Sequence, residues 1–225
     1  MIVSDKGLIF IHIPKTGGNS FSHLLVNYSK EKIIRLRAYN DKINTFEIRG
    51  KYTYDKHQKL EQYQKKLRKN FKKYKIVTII RNPLQRMLSL YYMQDLNTHG
   101  NWLVRKINHI SKKRFGFFIL SPKFYSYKTP NFNLVKFKDY ILSMPSQKSY
   151  FMIDNKFIKP HYLIKYERYS DNIIKFCKYF DIDYKSFHVN KGIKKKFSKK
   201  KLDKIKKIIL ETHHKEDYKT FGYNK

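Results

Sequence analysis

Acidic residues are scarce in this sequence: 17 Asp and Glu stand against 50 Lys and Arg, a formal net charge of +33. Cysteine is almost missing. Cys177, in "IIKFCKYF" among apolar neighbours, is the only one, so no intrachain disulfide can form. That agrees with a reducing compartment, and the expectation is a cytoplasmic protein. Long hydrophobic runs are lacking too. No window reaches the roughly 18–20 apolar residues of a membrane helix, and "LIFIHI" is too short and lacks the cleavage pattern of a signal peptide. Without internal repeats or a linker rich in Pro, Gly or Ser, the 225 residues read as one domain, 1–225.

What is present is enough apolar material for a core. Hydrophobic residues make up 41% and aromatics 16%, which argues against a disordered polycation. The charge permits nucleic acid, an anionic membrane or a polyanionic substrate as partner. However, Lys outnumbers Arg by 41 to 9 and is spread along the chain, and Asn, Ile, Tyr and Phe are abundant as well. All five types have A/T-rich codons, so part of the lysine excess is compositional. The charge identifies no specific nucleic acid.

Punctuation along the chain alternates between strand and helix. "GLIFIHI" (Gly7 to Ile13) reads as a buried strand halted by Pro14, and Phe21, Leu24, Leu25 and Tyr28 follow at helical spacing. Ile33 to Tyr54 gives only a weak signal for short strands. His57 to Tyr74 fits a helix with Leu60, Tyr63, Leu67 and Phe71 on one stripe. Ile76 to Ile80 is a β-branched run suited to a central parallel strand. Asn82 then reads as an N-cap, Pro83 as the first helical residue, and Leu84, Met87, Leu88 and Tyr91 as the inward stripe. Asn97 to Asn133 is irregular and has the character of a lid or of short helices. Helices are expected over Phe137 to Met144, Ser170 to Phe180 (capped by Ser170 or Asp171) and Ser198 to Lys219, with a strand in "HYLIKYE". Alternation of this kind predicts an α/β fold: a P-loop NTPase-like, three-layer arrangement with a central, mainly parallel sheet flanked by helices. In such sheets ligands sit beyond the carboxyl ends of the strands, where both Pro14 to Ser20 and Arg81 fall.

A loop feeding a helix N-terminus offers unpaired N–H groups and the positive end of the helix dipole. Gly17 and Gly18 allow close backbone approach. Asn19 and Ser20 add polar side chains, and Lys15 adds charge. The plain alternative is a strand-to-helix turn with two glycines for the bend. ATP chemistry fits poorly, because the lysine precedes the glycines and no Gly-Lys-Ser/Thr follows. "VTIIRNP" ends in Arg81 where a magnesium-binding Asp would be expected. A guanidinium fork together with the Ser89 hydroxyl suits a terminal phosphate, and Arg86 either joins it or makes a surface ion pair. The pattern asks for a ligand with two separated anionic groups. No histidine or cysteine has convincing metal-site spacing, so no metal is expected; His12 reads as core.

"IPKTGGNS" and "RNPLQRMLS" resemble the two nucleotide-binding signatures of the carbohydrate-type sulfotransferases grouped as sulfotransferase family 2. "YLIKYERY", "HVNKG" and "HKEDYKTFGY" are similar to later family segments, in order. The resemblance implies 3′-phosphoadenosine 5′-phosphosulfate (PAPS) as cofactor. Its 5′-phosphosulfate would lie on Lys15, Thr16, Gly17, Gly18, Asn19 and Ser20, its 3′-phosphate at Arg81 and Ser89, with Lys191 and Gly192 closing over the nucleotide. Asn19 stands where Thr or Ser is commoner. Lys56-His57 is similar to a Lys-His pair that opens a helix in bacterial-type members. His57 is then the base for the acceptor hydroxyl and Lys15 the catalytic cation. The implied reaction is in-line sulfuryl transfer to a hydroxyl acceptor, a sugar of a glycan or glycolipid, neutral or anionic, without metal. Two other readings stay open: a nucleotide or small-molecule kinase with a variant phosphate loop, and a non-catalytic polyanion or nucleic-acid binder.

Overall fold

The structure is a computed structural model and describes residues 1–35, 46–98, 132–184 and 197–224. Its central sheet runs β1 (Ile2–Val3), β2 (Leu8–Ile11), β5 (Lys75–Ile80), β8 (Tyr162–Lys165). The last three are mutually parallel, with Ile11 opposite Thr78 and Ile80 opposite Lys165. β1 adds an antiparallel edge with Ile2 opposite Ile9, an element the sequence did not announce. Separate two-stranded ribbons pair β3 (Lys32–Arg35) with β4 (Phe46–Arg49), and β6 (Met152–Ile153) with β7 (Lys156–Phe157). The first ribbon is the pair of short strands expected between residues 33 and 54.

All four residues of β2 and five of the six in β5 are buried, which is why these strands read as unbroken apolar runs. Period two divides them between the faces of the sheet. Phe10, Val77 and Ile79 face a core with Phe21, Leu24 and Leu25 of α1 (Gly18–Leu25) and Ile173 and Phe176 of α5 (Tyr169–Phe180). Ile9, Ile11, Ile76 and Ile80 face Leu60, Tyr63 and Leu67 of α2 (Leu60–Leu67), with Tyr150 and Phe151. A third cluster joins Met87, Leu90 and Tyr91 of α3 (Pro83–Thr98), Phe137 and Ile141 of α4 (Leu134–Ser143), and Ile205 and Ile209 of α6 (Lys199–Leu210). The fold is therefore mixed α/β, with a mostly parallel central sheet and helices packed on both faces. Among the described residues no helix is long and apolar enough to cross a membrane.

Asn82 caps α3 as expected, accepting from the N–H groups of Leu84 and Gln85 at 3.1 and 3.3 Å. Other boundaries differ. α5 begins at Tyr169 with no side-chain cap, because the 3₁₀ turn Tyr166–Arg168 runs straight into it; neither Ser170 nor Asp171 caps it. The single helix expected from Ser198 to Lys219 is two, α6 and α7 (Lys215–Thr220). Between them the Thr212 hydroxyl donates back to Ile209 O at 2.7 Å. The His214 imidazole turns inward and donates through Nε2 to Ile141 O at 2.8 Å, so the chain bends to bury it. Ser198 does cap α6. Of the irregular segment expected over 97–133, residues 99–131 lie outside the described residues.

Candidate functional site

Three adjacent parallel strands end together, and each delivers chemistry at its carboxyl end. β2 leads into the loop Pro14 to Gly17, β5 into Arg81 and Asn82, and β8 into Tyr166 and Glu167. The loop is held by its carbonyls. His57 Nδ1 donates to His12 O at 2.8 Å and the Thr16 hydroxyl to Ile13 O at 2.9 Å. Arg86 Nε reaches Pro14 O at 3.1 Å, and Arg81 Nη1 reaches Lys15 O at 3.3 Å. Four consecutive carbonyls are thus turned towards protein side chains. In a trans peptide the next N–H points the opposite way, so the N–H groups of Lys15 and Thr16 face away from Arg86 and Arg81. They lie beside the N-terminus of α1, and a loop that feeds a helix start in this way is an arrangement that receives anions.

Lys15 holds a left-handed backbone (φ 66°), as does Gly17 (φ 89°). The glycines have a reason other than the ligand approach expected from sequence. A Cβ on Gly17 would lie 2.9 Å from the Tyr166 ring, and one on Gly18 would enter the His12 ring, 2.9 Å from its Cγ. Both missing side chains point into the protein, where they let the loop lie flat on two rings.

The cations around the loop are not equivalent. Burial lowers the pKa of Lys15, and the positive charge of Arg81 lowers it further. Burial likewise lowers that of Arg81, opposed by Tyr166 and Glu167. The Arg81 guanidinium lies over the Tyr166 ring, 4.4 Å from its centroid, and its Nε is buried with no hydrogen-bond partner among the described residues. An orphaned donor on a desolvated cation beside a second cation suits an incoming phosphate or sulfate oxygen. Arg86 is not the surface ion pair: it is fully buried and bonded to Pro14 O and to Pro145 O, both at 3.1 Å.

His57 stands in a turn ahead of α2 and does not open that helix. Its N–H donates to Asp55 Oδ1 at 2.6 Å, and buried Gln58 ties the same turn to Tyr52 O and to Tyr54 N–H. A carbonyl can only accept, so the bond to His12 O fixes the proton on Nδ1 and makes Nε2 the accepting nitrogen of the neutral ring. His12 itself is core, as expected. Burial pushes its pKa well below 6.5, helped by His57 and Lys56, and its ring meets that of His57 edge-on at 4.8 Å.

The structure therefore brings Lys15, Thr16, Gly17, Gly18, Arg81 and His57 to one edge. The Thr16 hydroxyl is committed to Ile13 O and leaves only its backbone N–H to a ligand. Ser20 is largely buried and hydrogen-bonded to the Tyr169 hydroxyl, while Asn19 is half-buried at the loop exit. Ser89 lies half-buried two turns along α3, and no hydrogen bond joins it to Arg81 among the described residues. Lys191 and Gly192 lie outside the described residues. Sequence reasoning missed Gln147, and gave no role to Tyr166, Glu167 or Asp217 although "YLIKYERY" and "HKEDYKTFGY" contain them. Glu167 accepts from Asn82 N–H at 2.6 Å and from the Tyr223 hydroxyl at 2.9 Å. For Asp217 the signal was its place in "HKEDYKTFGY"; Gln147 gave none.

A family model described as "Sulfotransferase family" matches residues 1–224 of the chain. Comparison with curated proteins returned no match, and neither did comparison with solved structures.

Proposed function

The chain belongs to the sulfotransferase family, and from that premise we propose that it transfers a sulfuryl group from PAPS to the hydroxyl of a saccharide acceptor. The observation that supports the donor assignment is the desolvated Arg81 at the end of β5, its Nε without a partner among the described residues, beside Lys15 and a loop whose carbonyls from His12 to Lys15 are turned to side chains. When bound, the nucleotide supplies the sulfuryl group and an anionic leaving phosphate. The β2–α1 loop acts as a P-loop-like cradle, with the N–H groups of Lys15 to Ser20 on the 5′ end. Arg81 binds the 3′-phosphate through its uncommitted nitrogens, and Ser89 completes that contact from α3.

His57 receives the acceptor proton at Nε2, while Nδ1 stays on His12 O and holds the ring in place. Positive charge then spreads over the imidazole. Lys15, partly desolvated, neutralises negative charge growing at the transferred group; an anion beside it opposes the lowering of its pKa by burial and Arg81. Neutral and anionic saccharides both fit this chemistry.

Calorimetric titration with adenosine 3′,5′-bisphosphate tests the donor site. Micromolar binding is expected in the unmutated protein, a free energy near about −8 kcal/mol, and its loss in Arg81→Ala. Absence of binding by the unmutated protein overturns the assignment. Transfer from ATP with magnesium, and none from the sulfate donor, would make it a kinase-like enzyme instead. A screen of hydroxyl acceptors with labelled donor then identifies the saccharide.

A further inference from the structure

Resting on that reading of Arg81, we propose that Gln147 is a positioning residue that sets the protein's preference for nucleotides carrying a second phosphate, with Asp217 as its anchor. β5 loses both neighbours at its end: its pairing with β2 stops at Ile11 opposite Thr78, and its pairing with β8 at Ile80 opposite Lys165. Arg81, the next residue, would be left with its backbone unpaired. Gln147 supplies the pairing. Its Oε1 accepts from Arg81 N–H at 2.9 Å and its Nε2 donates to Arg81 O at 2.8 Å, so one side chain holds both backbone groups of one residue.

Gln147 is fully buried and both ends of its amide are committed, so it acts on a ligand only through Arg81. Its own position is set from far along the chain. Asp217 on α7, also fully buried, accepts from Gln147 N–H at 2.8 Å and Lys148 N–H at 2.9 Å, one bond to each carboxylate oxygen. Arg86 holds the same turn through Pro145 O. The guanidinium of Arg81 is held separately, by the Tyr166 ring and by Lys15 O. Gln147 fixes where that side chain starts, and these two contacts fix where it ends. A guanidinium fork matches phosphate oxygens only in a narrow range of orientations, so loss of the amide blunts phosphate recognition without touching the glycine loop.

The test compares adenosine 3′,5′-bisphosphate with adenosine 5′-phosphate by calorimetry. The unmutated protein is expected to prefer the bisphosphate by about 100-fold or more, and Gln147→Leu to reduce that preference to about 10-fold or less. The affinity for the monophosphate should stay within about 3-fold. A parallel fall for both nucleotides, or an unchanged preference, overturns the proposal. If Gln147→Leu does not fold, Gln147→Glu decides. It keeps the shape and the acceptor for Arg81 N–H but, ionised, cannot donate to Arg81 O and sets a negative charge beside the site. It is expected to lose the preference as well, and a variant that retains it refutes the role. An unmutated protein without the preference refutes the assignment of Arg81 to the second phosphate, which is a different failure.

Discussion

In Gly18→Ala two ordinary effects oppose each other, and the geometry decides between them. Alanine in place of glycine in a helix stabilises by up to about 1 kcal/mol, and Gly18 is the first residue of α1. Against that, the new Cβ would enter the His12 imidazole, which has nowhere to go. The ring is 5% exposed, stacked on Phe10 at 5.6 Å and edge-on to His57 at 4.8 Å. Forcing a methyl group into a packed core costs about 1–3 kcal/mol. The net expectation is a loss of about 1–2 kcal/mol, which lowers the melting temperature by about 2–8 °C in a chain of this size. Thermal unfolding followed by circular dichroism measures it. The cause is checked in a His12→Ala background, where the obstruction is gone and the same substitution should be neutral or stabilising. A coupling of about 1–3 kcal/mol between the two positions is expected from the cycle. A melting temperature that rises in Gly18→Ala, or an equal penalty in both backgrounds, would refute the reasoning.

His57→Gln should lower kcat by about 10²–10⁴-fold with little change in nucleotide affinity; a variant of nearly full activity would place the base elsewhere. Arg86→Met removes two bonds to carbonyls and leaves buried Asp217 without its neighbouring cation, so urea unfolding should register a loss of about 3 kcal/mol; undiminished stability would contradict the burial of that charge. Burial lowers the pKa of His214 from 6.5 to about 4. The unfolded chain therefore takes the proton first. The stabilisation is complete above about pH 6.5 and is lost progressively as the pH falls to about 4, for a total of about 3 kcal/mol. His214→Gln should flatten the acid side of the stability profile; a slope equal to that of the unmutated protein would contradict it. His12, also lowered by burial, adds to the loss in the same direction.

Legibility in the sequence followed the range over which each residue acts. β2, β5 and the start of α3 were readable because their signals are local: a run of β-branched residues, then Asn82 and Pro83. Arg81 and the loop could be assigned to one edge because parallel strands deliver their loops to the same end. The offset of His57 from α2 was not readable, since Asp55 and Gln58 hold it in a turn by contacts no periodicity reveals. Arg86 was misjudged because its two acceptors lie 72 and 59 residues away in sequence. The break at His214 was hidden by lysines on either side, which continue a helical pattern that the imidazole interrupts.

Asp217 has a consequence for the order in which the protein becomes competent. The four strands of the central sheet are complete by Lys165, and the glycine loop and Arg81 are in place long before that. The residue that anchors the turn beneath Arg81 comes 52 positions later. As the chain emerges during synthesis, the sheet can close while the second anion site proposed at Arg81 still lacks its support. A nascent chain stopped ahead of α7 would carry every residue proposed to touch the nucleotide among those described, and still lack the carboxylate that anchors Gln147 beneath Arg81.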